Sequence, residues 1–211
     1  MRGRLLLCAA VVGAVRPAAF RANKVVNSQV LQAQSKSPDQ FLTTPESVRA
    51  LFSQADDVTQ LDQNTWKLTT YIEFPSMVAR SLSSVMVSTL PTGELRLEVF
   101  ETSTEVETGP PFARKLMEAI SSRVRTTSVS KVSVQPLDSG EEFMFISEAS
   151  MAVEMQLPVW LPIPKARLEE EGSKSMQSAL DAQMEPIMQE LGRQYLSWSS
   201  SHSSVGSSAQ G

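Results

Sequence analysis

Long stretches between residues 66 and 157 alternate apolar and polar positions. Trp66, Leu68, Thr70, Ile72 and Phe74 alternate with Lys67, Thr69, Tyr71 and Glu73, a period of two that predicts a half-buried strand. The segments 82–90 and 94–101 repeat this pattern on either side of Pro91-Thr92-Gly93, which predicts a hairpin. Two further strand patterns, 129–137 and 143–157, flank the turn Asp138-Ser139-Gly140, and the second is long enough to bend or split near Glu148 to Ser150.

Helical spacing brackets this strand-rich centre. Thr44 can cap a helix, Pro45 suits its first position and Glu46 suits the positive end of its dipole. Val48, Leu51 and Phe52 then supply one apolar face, so a short helix to about Ala55 is expected, with Asp56-Asp57 and Asp62-Gln63-Asn64 as turns. After the break at Gly109-Pro110-Pro111, Phe112, Leu116, Met117 and Ile120 predict a second short helix over 112–122. Pro158, Pro162 and Pro164 end the strand patterns because proline has no N–H to give to a ladder. From about Ala166 to Ser199, Met176, Leu180, Met184, Ile187, Met188, Leu191, Tyr195 and Trp198 form one helical stripe. Glu169, Glu170 and Glu171 are expected in its first turn, and Pro186 is expected to kink it. The Ser- and Gly-rich tail from Ser199 has too little apolar content to order itself. The element order predicts an α+β fold: a curved antiparallel sheet packed on a long C-terminal helix.

Charge separates the N-terminus from the rest. Of 19 basic residues, Arg2, Arg4, Arg16, Arg21, Lys24 and Lys36 precede the first acid, Asp39, so the remainder holds 13 basic against 23 acidic side chains. Such a body repels phosphate backbones, which argues against a nucleic-acid partner. Arg2 and Arg4, the apolar run 5–15 and the small residues Pro17-Ala18-Ala19 have the order of a signal peptide over residues 1–19. That run is shorter than the ~20 residues a membrane span needs. Residues 20–38 remain basic and rich in Ser, Gln and Ala, like a transit segment. With Phe20 after Ala19, the pair resembles the bipartite presequence of algae with plastids of secondary endosymbiotic origin. The resemblance implies a plastid destination, with secretion as the rival. These readings divide the chain into a presequence of 1–38, one domain over 39–198 and a tail over 199–211.

Leu157-Pro158-Val159-Trp160-Leu161-Pro162, then Arg167-Leu168-Glu169 and Gly172, then a helix closing on Gln194-Tyr195-Leu196-Ser197-Trp198, resembles an uncharacterised protein family of cyanobacteria and plastids over roughly residues 41–198. That family has no assigned activity, so it lends no catalytic residues. Its element order is in turn similar to the helix-grip fold of START and polyketide-cyclase-like proteins. There a curved antiparallel sheet grips the helix and leaves a lipophilic cavity between them; Pro186 departs from a straight gripped helix.

Chemistry narrows by elimination. The single Cys is Cys8 in the apolar run and the single His is His202 in the tail, so the expected domain has neither. That argues against His- or Cys-based nucleophiles, metal sites and haem ligation, and no Gly-rich phosphate loop occurs. No cofactor or metal is expected, and no catalytic residue is assigned. Glu98, Glu101, Glu105 and Glu107 read as a solvated strand edge. Met144, Met151 and Met155 on strand patterns and Met176, Met184 and Met188 on the helix stripe suit either a packed core or an adaptable apolar cavity.

The leading expectation is a non-enzymatic plastid protein that binds a lipid, isoprenoid or pigment between sheet and helix, with Trp66, Leu97, Met155, Met184 and Met188 as ligand-binding residues. The alternative is an assembly factor or peripheral subunit of a photosynthetic membrane complex, docking through Trp160, Leu161 and Trp198. A third is a cofactor-independent cyclase or isomerase using Tyr71, Arg96 or a Glu.

Overall fold

The structure, a computed structural model, describes residues 15–74, 77–111, 114, 123–138, 140–158 and 164–201. Eight strands form one antiparallel sheet: β1 (Val15–Asn27), β2 (Leu31–Gln32), β3 (Asp57–Gln60), β4 (Thr65–Phe74), β5 (Met77–Thr89), β6 (Leu95–Thr108), β7 (Val124–Pro136) and β8 (Glu142–Pro158). Their order is β1-β8-β7-β6-β5-β4-β3, with β2 also paired to β8. Helices α1 (Pro38–Leu42) and α2 (Pro45–Leu51) lie between β2 and β3, and α3 (Lys165–Ser200) follows β8. The expected sheet and long terminal helix are both present.

Local chemistry sets the turns. Thr44 Oγ1 accepts the N–H of Ser47 and Pro45 opens α2, as the sequence predicts. Gly93 and Gly140 close the β5–β6 and β7–β8 hairpins at φ of +86° and +69°, and each donates its N–H to the residue three before it, Leu90 and Leu137. Asp62 Oδ1 accepts the N–H groups of Asn64 and Thr65, both at 2.8 Å, in the β3–β4 turn. Those bonds hold its carboxyl below the usual carboxylate range, the Asn64 N–H contributing most. Bulges in the β5–β6 pairing, one at Ser84/Val85, place Phe100 on the surface and increase the local twist.

The core lies between the α3 C-terminal half, α1, α2 and one sheet face. Leu180, Met184, Met188, Leu191 and Tyr195 of α3 are buried with Phe41, Leu42, Leu51, Trp66, Val85, Leu95, Val132, Phe143 and Phe145. Tyr195 stands edge-on to Phe143 at 5.0 Å and to Phe41 at 5.7 Å. The stripe from Met176 to Tyr195 therefore faces the sheet side that carries Trp66, with Leu68 and Leu97 packed against the same cluster. Among the described residues no helix is long and apolar enough to cross a membrane.

Several expectations are corrected. Residues 15–27, expected in the presequence, form β1, which pairs with β8 from Val15↔Pro158 to Asn27↔Ile146. Phe20, read as the residue after a cleavage site, is a core residue 7% exposed. Asp57 belongs to a short strand, and α2 ends at Leu51, not near Ala55. β8 continues unbroken through 148–150 because β1 and β7 pair with it on both sides there. Glu169, Glu170 and Glu171 lie beyond the first turn, since α3 starts at Lys165, and α3 passes through Pro186 to Ser200, taking in the first residues of the expected tail. Most of the expected 112–122 helix, and His202, lie outside the described residues.

Candidate functional site

Strand β1 is an edge of the sheet, and α3 covers that edge with side chains. The N–H groups of Ala19, Arg21 and Asn23 donate to Glu169 Oε1 at 2.9 Å, Ser173 Oγ at 3.2 Å and Gln177 Oε1 at 3.3 Å. The strand positions step by two and the helix positions by four. Two strand residues advance about 6.8 Å and four helical residues about 6.0 Å, so the rungs stay in register for three steps. Pro17, one step earlier in the same row, has no N–H to satisfy. Just past the last rung, and one helix step beyond Gln177, Lys24 Nζ reaches Asp181 at 2.8 Å. The hydrogen bond from Lys24 holds the Asp181 carboxyl below its usual range, and the same bond raises the Lys24 ammonium above its own.

This edge contact divides α3 into two halves. From Leu180 onward every turn buries at least one residue, whereas none from Lys165 to Ala179 is buried. Leu168 on α3, with Val153 and Met155 on β8, is half-buried and lies outside the core cluster. Met155 pairs with Ala18 and Val153 with Phe20, so these β8 side chains share the face that β1 turns toward the core.

At this end of the molecule a cleft of about 410 Å³ opens between β1, β7, β8 and the start of α3. Pro17, Ala19 and Gln156 line it on the outward face of the strands, while Ala18 and Met155, one register position away, turn to the core face. Arg123, Arg125 and Glu154 from the same face, with Lys165 and Glu169 on α3, make the lining strongly charged. Glu169 is held by the Ala19 N–H and by Lys165 at 3.7 Å. Among the described residues neither arginine has a carboxylate partner. The volume falls in the usual range of small-molecule sites, about 300–1,000 Å³.

A second cleft, of about 560 Å³, lies at the α2 end and is lined by Leu42, Val48, Trp66, Val87 and Leu95 with Gln60, Gln63 and Asn64 at its rim. The predicted ligand residues divide between these places. Met155 borders the first cleft from the core face and Trp66 lines the second, where it also packs on Phe52 at 5.7 Å. Leu97, Met184 and Met188 line neither; Met184 and Met188 are 6% and 1% exposed and belong to the packed core with Leu97 against it. Of the predicted docking residues, Trp160 and Leu161 lie outside the described residues. Trp198 is half-buried, 5.5 Å from the Phe41 ring and 4.8 Å from Lys36 Nζ. Tyr71 and Arg96 do not converge. Tyr71 is exposed on β4, and Arg96 on β6 pairs with Glu98 at 2.8 Å. No group of three or more His, Cys, Asp or Glu suited to a metal occurs among the described residues.

Sequence reading missed Pro17, Ala18, Arg123, Arg125 and Lys165. The first two were placed in the presequence, and the basic residues are adjacent only once β1, β7 and β8 are paired.

No protein-family model matches the chain, and no curated protein matches it. Among solved structures it is similar to the Zhui aromatase/cyclase from Streptomyces sp. R1128, at 9% identity and TM-score 0.44 over 84% of this chain and 94% of that one. It is also similar to norcoclaurine synthase from Thalictrum flavum, at 10% identity and TM-score 0.44 over 83% and 88%. A START superfamily protein from Mycobacterium smegmatis matches at 10% identity and TM-score 0.42 over 81% and 98%. Likeness at this level lends this chain no ligand and no reaction.

Proposed function

We propose that this protein is a non-enzymatic binder of an apolar small molecule, a lipid, isoprenoid or pigment, held between the sheet and the N-terminal half of α3. One observation carries the reading: Val153 and Met155 on β8 and Leu168 on α3 are apolar and half-buried outside the core cluster, the two β8 residues on the sheet face that β1 turns toward the core. A folded chain gains roughly 25 cal/mol for each Å² of apolar surface it removes from water, and an apolar ligand seated there supplies that burial. The placement differs from the sequence expectation. The ligand lies at the open end of the grip, because Met184 and Met188 fill the closed end.

The experiment is native mass spectrometry and organic extraction of the full-length protein after exposure to lipid and pigment extracts. A retained apolar molecule is expected, and Met155→Trp is expected to reduce its retention while the protein stays folded. Empty protein from every extract overturns the reading. The docking alternative loses one anchor here, since Trp198 packs on Phe41 and Tyr195.

A further inference from the structure

The core face of the sheet carries hydroxyls in place of charge at its open end. From this we infer that the bound molecule is a neutral lipophile bearing several oxygen atoms, its skeleton on Met151, Val153 and Met155 and its oxygens on the serines and threonines of the same face. The inference rests on the proposed binding role and deepens it. Strand register sorts the side chains. The β6–β7 pairing ends at Val99↔Ser128, and from there β7 sets Ser128 and Thr126 opposite Met151 and Val153 of β8, a column of hydroxyls beside an apolar column. At the same end, the cross-strand rows Thr70↔Ser81↔Thr104 and Ser83↔Thr102 put five more hydroxyls on this face of β4, β5 and β6, on strands about 4.8 Å apart. All seven of these residues are half-buried.

Charge takes the opposite face. Register turns Arg96, Glu98, Lys131 and Glu148 outward, and ion pairs hold Glu105 and Glu107 beside the outward Arg80. Strands β4 to β8 therefore give an ionised ligand no counter-charge on the core face. Strand β1 adds Arg16 and Lys24 to that face, but Asp181 holds Lys24 at 2.8 Å and Arg16 is also engaged. Hydroxyls on adjacent strands can satisfy one another, and Ser130 and Ser147 do so at 3.2 Å. Thr70, Ser81, Ser83, Thr104, Thr126 and Ser128 make no such side-chain bond among the described residues. Thr102 Oγ1 is shut off from solvent without a hydrogen-bond partner. A buried hydroxyl left unpaired is destabilising, and a ligand oxygen beside it removes that cost. Serine and threonine both donate and accept, so the set matches hydroxyl or carbonyl oxygens and offers nothing to a plain hydrocarbon.

The test uses the full-length protein and three pyrene-labelled probes of equal chain length: a monoacylglycerol, the free fatty acid and the hydrocarbon. The monoacylglycerol is expected to bind more tightly than the acid at low and high salt alike. Thr102→Val, Thr104→Val and Thr126→Val, made together, keep the β-branched shape and remove three hydroxyls. The triple variant is expected to bind the monoacylglycerol about tenfold more weakly, the loss of roughly one net hydrogen bond, and the hydrocarbon more tightly. Its thermal melt is expected to be no lower than that of the unaltered protein. A lower melt means that the hydroxyls serve the fold and overturns the inference. Monoacylglycerol binding that the substitutions leave unchanged also overturns it, and tightest binding of the acid overturns the neutral ligand; in both cases the binding role stands. Failure of all three probes to bind the unaltered protein overturns both readings.

Discussion

The ring of Phe20 on β1 lies directly over Gly172 of α3: a Cβ built at Gly172 falls 2.6 Å from Phe20 Cδ1 and 2.9 Å from Cγ. Alanine in a helix interior is about 1 kcal/mol better than glycine, yet here its methyl group overlaps a buried ring near its rigid base. Overpacking of this kind costs about 1–3 kcal/mol. Gly172→Ala is therefore expected to destabilise the protein in urea melts, and the same change made together with Phe20→Leu is expected to be neutral or stabilising. A stabilising Gly172→Ala in the unaltered background refutes the contact.

Tyr195 ties the segment before α1 to the terminal helix. Its hydroxyl accepts the N–H of Gln34 at 3.1 Å and donates to the carbonyl of Lys36 at 3.0 Å, while its ring is fully buried. Tyr195→Phe keeps the ring and strands both backbone groups, which should cost about 1–3 kcal/mol. Equilibrium unfolding checks this, and a loss near zero means that water replaces the hydroxyl.

The two halves of α3 should respond differently to truncation. Leu180 is 8% exposed within the core, so Leu180→Ala should cost about 2–5 kcal/mol. Leu168 is half-buried outside the core, and Leu168→Ala should cost less than half of that. Equal losses by denaturant titration mean that the N-terminal half is packed as tightly as the other.

These contrasts also explain what was legible in the sequence. Strands β4 to β8 announced themselves because large apolar residues alternate with charged ones, and the Gly93 and Gly140 turns because glycine alone adopts their backbone without strain. Strand β1 was hidden: its inward residues Ala18 and Ala22 are too small to mark an alternation, Lys24 interrupts it, and Arg16, Arg21 and Lys24 make it read as a presequence. The stripe of α3 was visible, but the side-chain ladder from Glu169, Ser173 and Gln177 was not. Those residues look like an ordinary solvated face until the edge of β1 lies beside them. The cleft could not be read because its lining joins residues 17–19, 123–125, 154–156 and 165–169, a neighbourhood that pairing alone creates.

Protonation should act mainly on the acid side. Asp181 and Glu170 are held below the usual carboxylate range, chiefly by hydrogen bonds from Lys24 and Lys174, and Asp62 by backbone N–H groups. A carboxylate lowered in the folded state stabilises above its unfolded pKa, near 4, and loses that contribution as pH falls through the folded value. Lys24 is raised, so its share is full at neutral pH and is lost only above the ordinary lysine range. Stability is expected to be flat from pH 5 to 8 and to decline below about 4. Asp181→Asn should soften that decline, and adding Lys24→Met should soften it no further. Thermal melts across this range check both statements, and additive effects of the two changes contradict the pairing.

The last prediction concerns where the folded chain must begin. Strand β1 supplies Ala18, Phe20, Ala22 and Val26 to the buried face and gives α3 the edge on which Glu169, Ser173 and Gln177 rest. A chain starting at Phe20 loses Val15 to Ala19, hence the buried Ala18, the Pro17 and Ala19 lining of the cleft and the Ala19–Glu169 rung. It should fold with reduced stability and lose the cleft at the start of α3. A chain starting at residue 39 loses β1 and β2 together, exposing the edge of β8 and the apolar face of α3, and it should aggregate instead of folding. A chain starting at residue 14 should match the full-length protein in its melt. Circular dichroism, denaturant titration and size-exclusion chromatography of the three chains decide the matter. A stable, monomeric protein beginning at residue 39 would return 15–38 to the role of a disposable leader and remove β1 from the site.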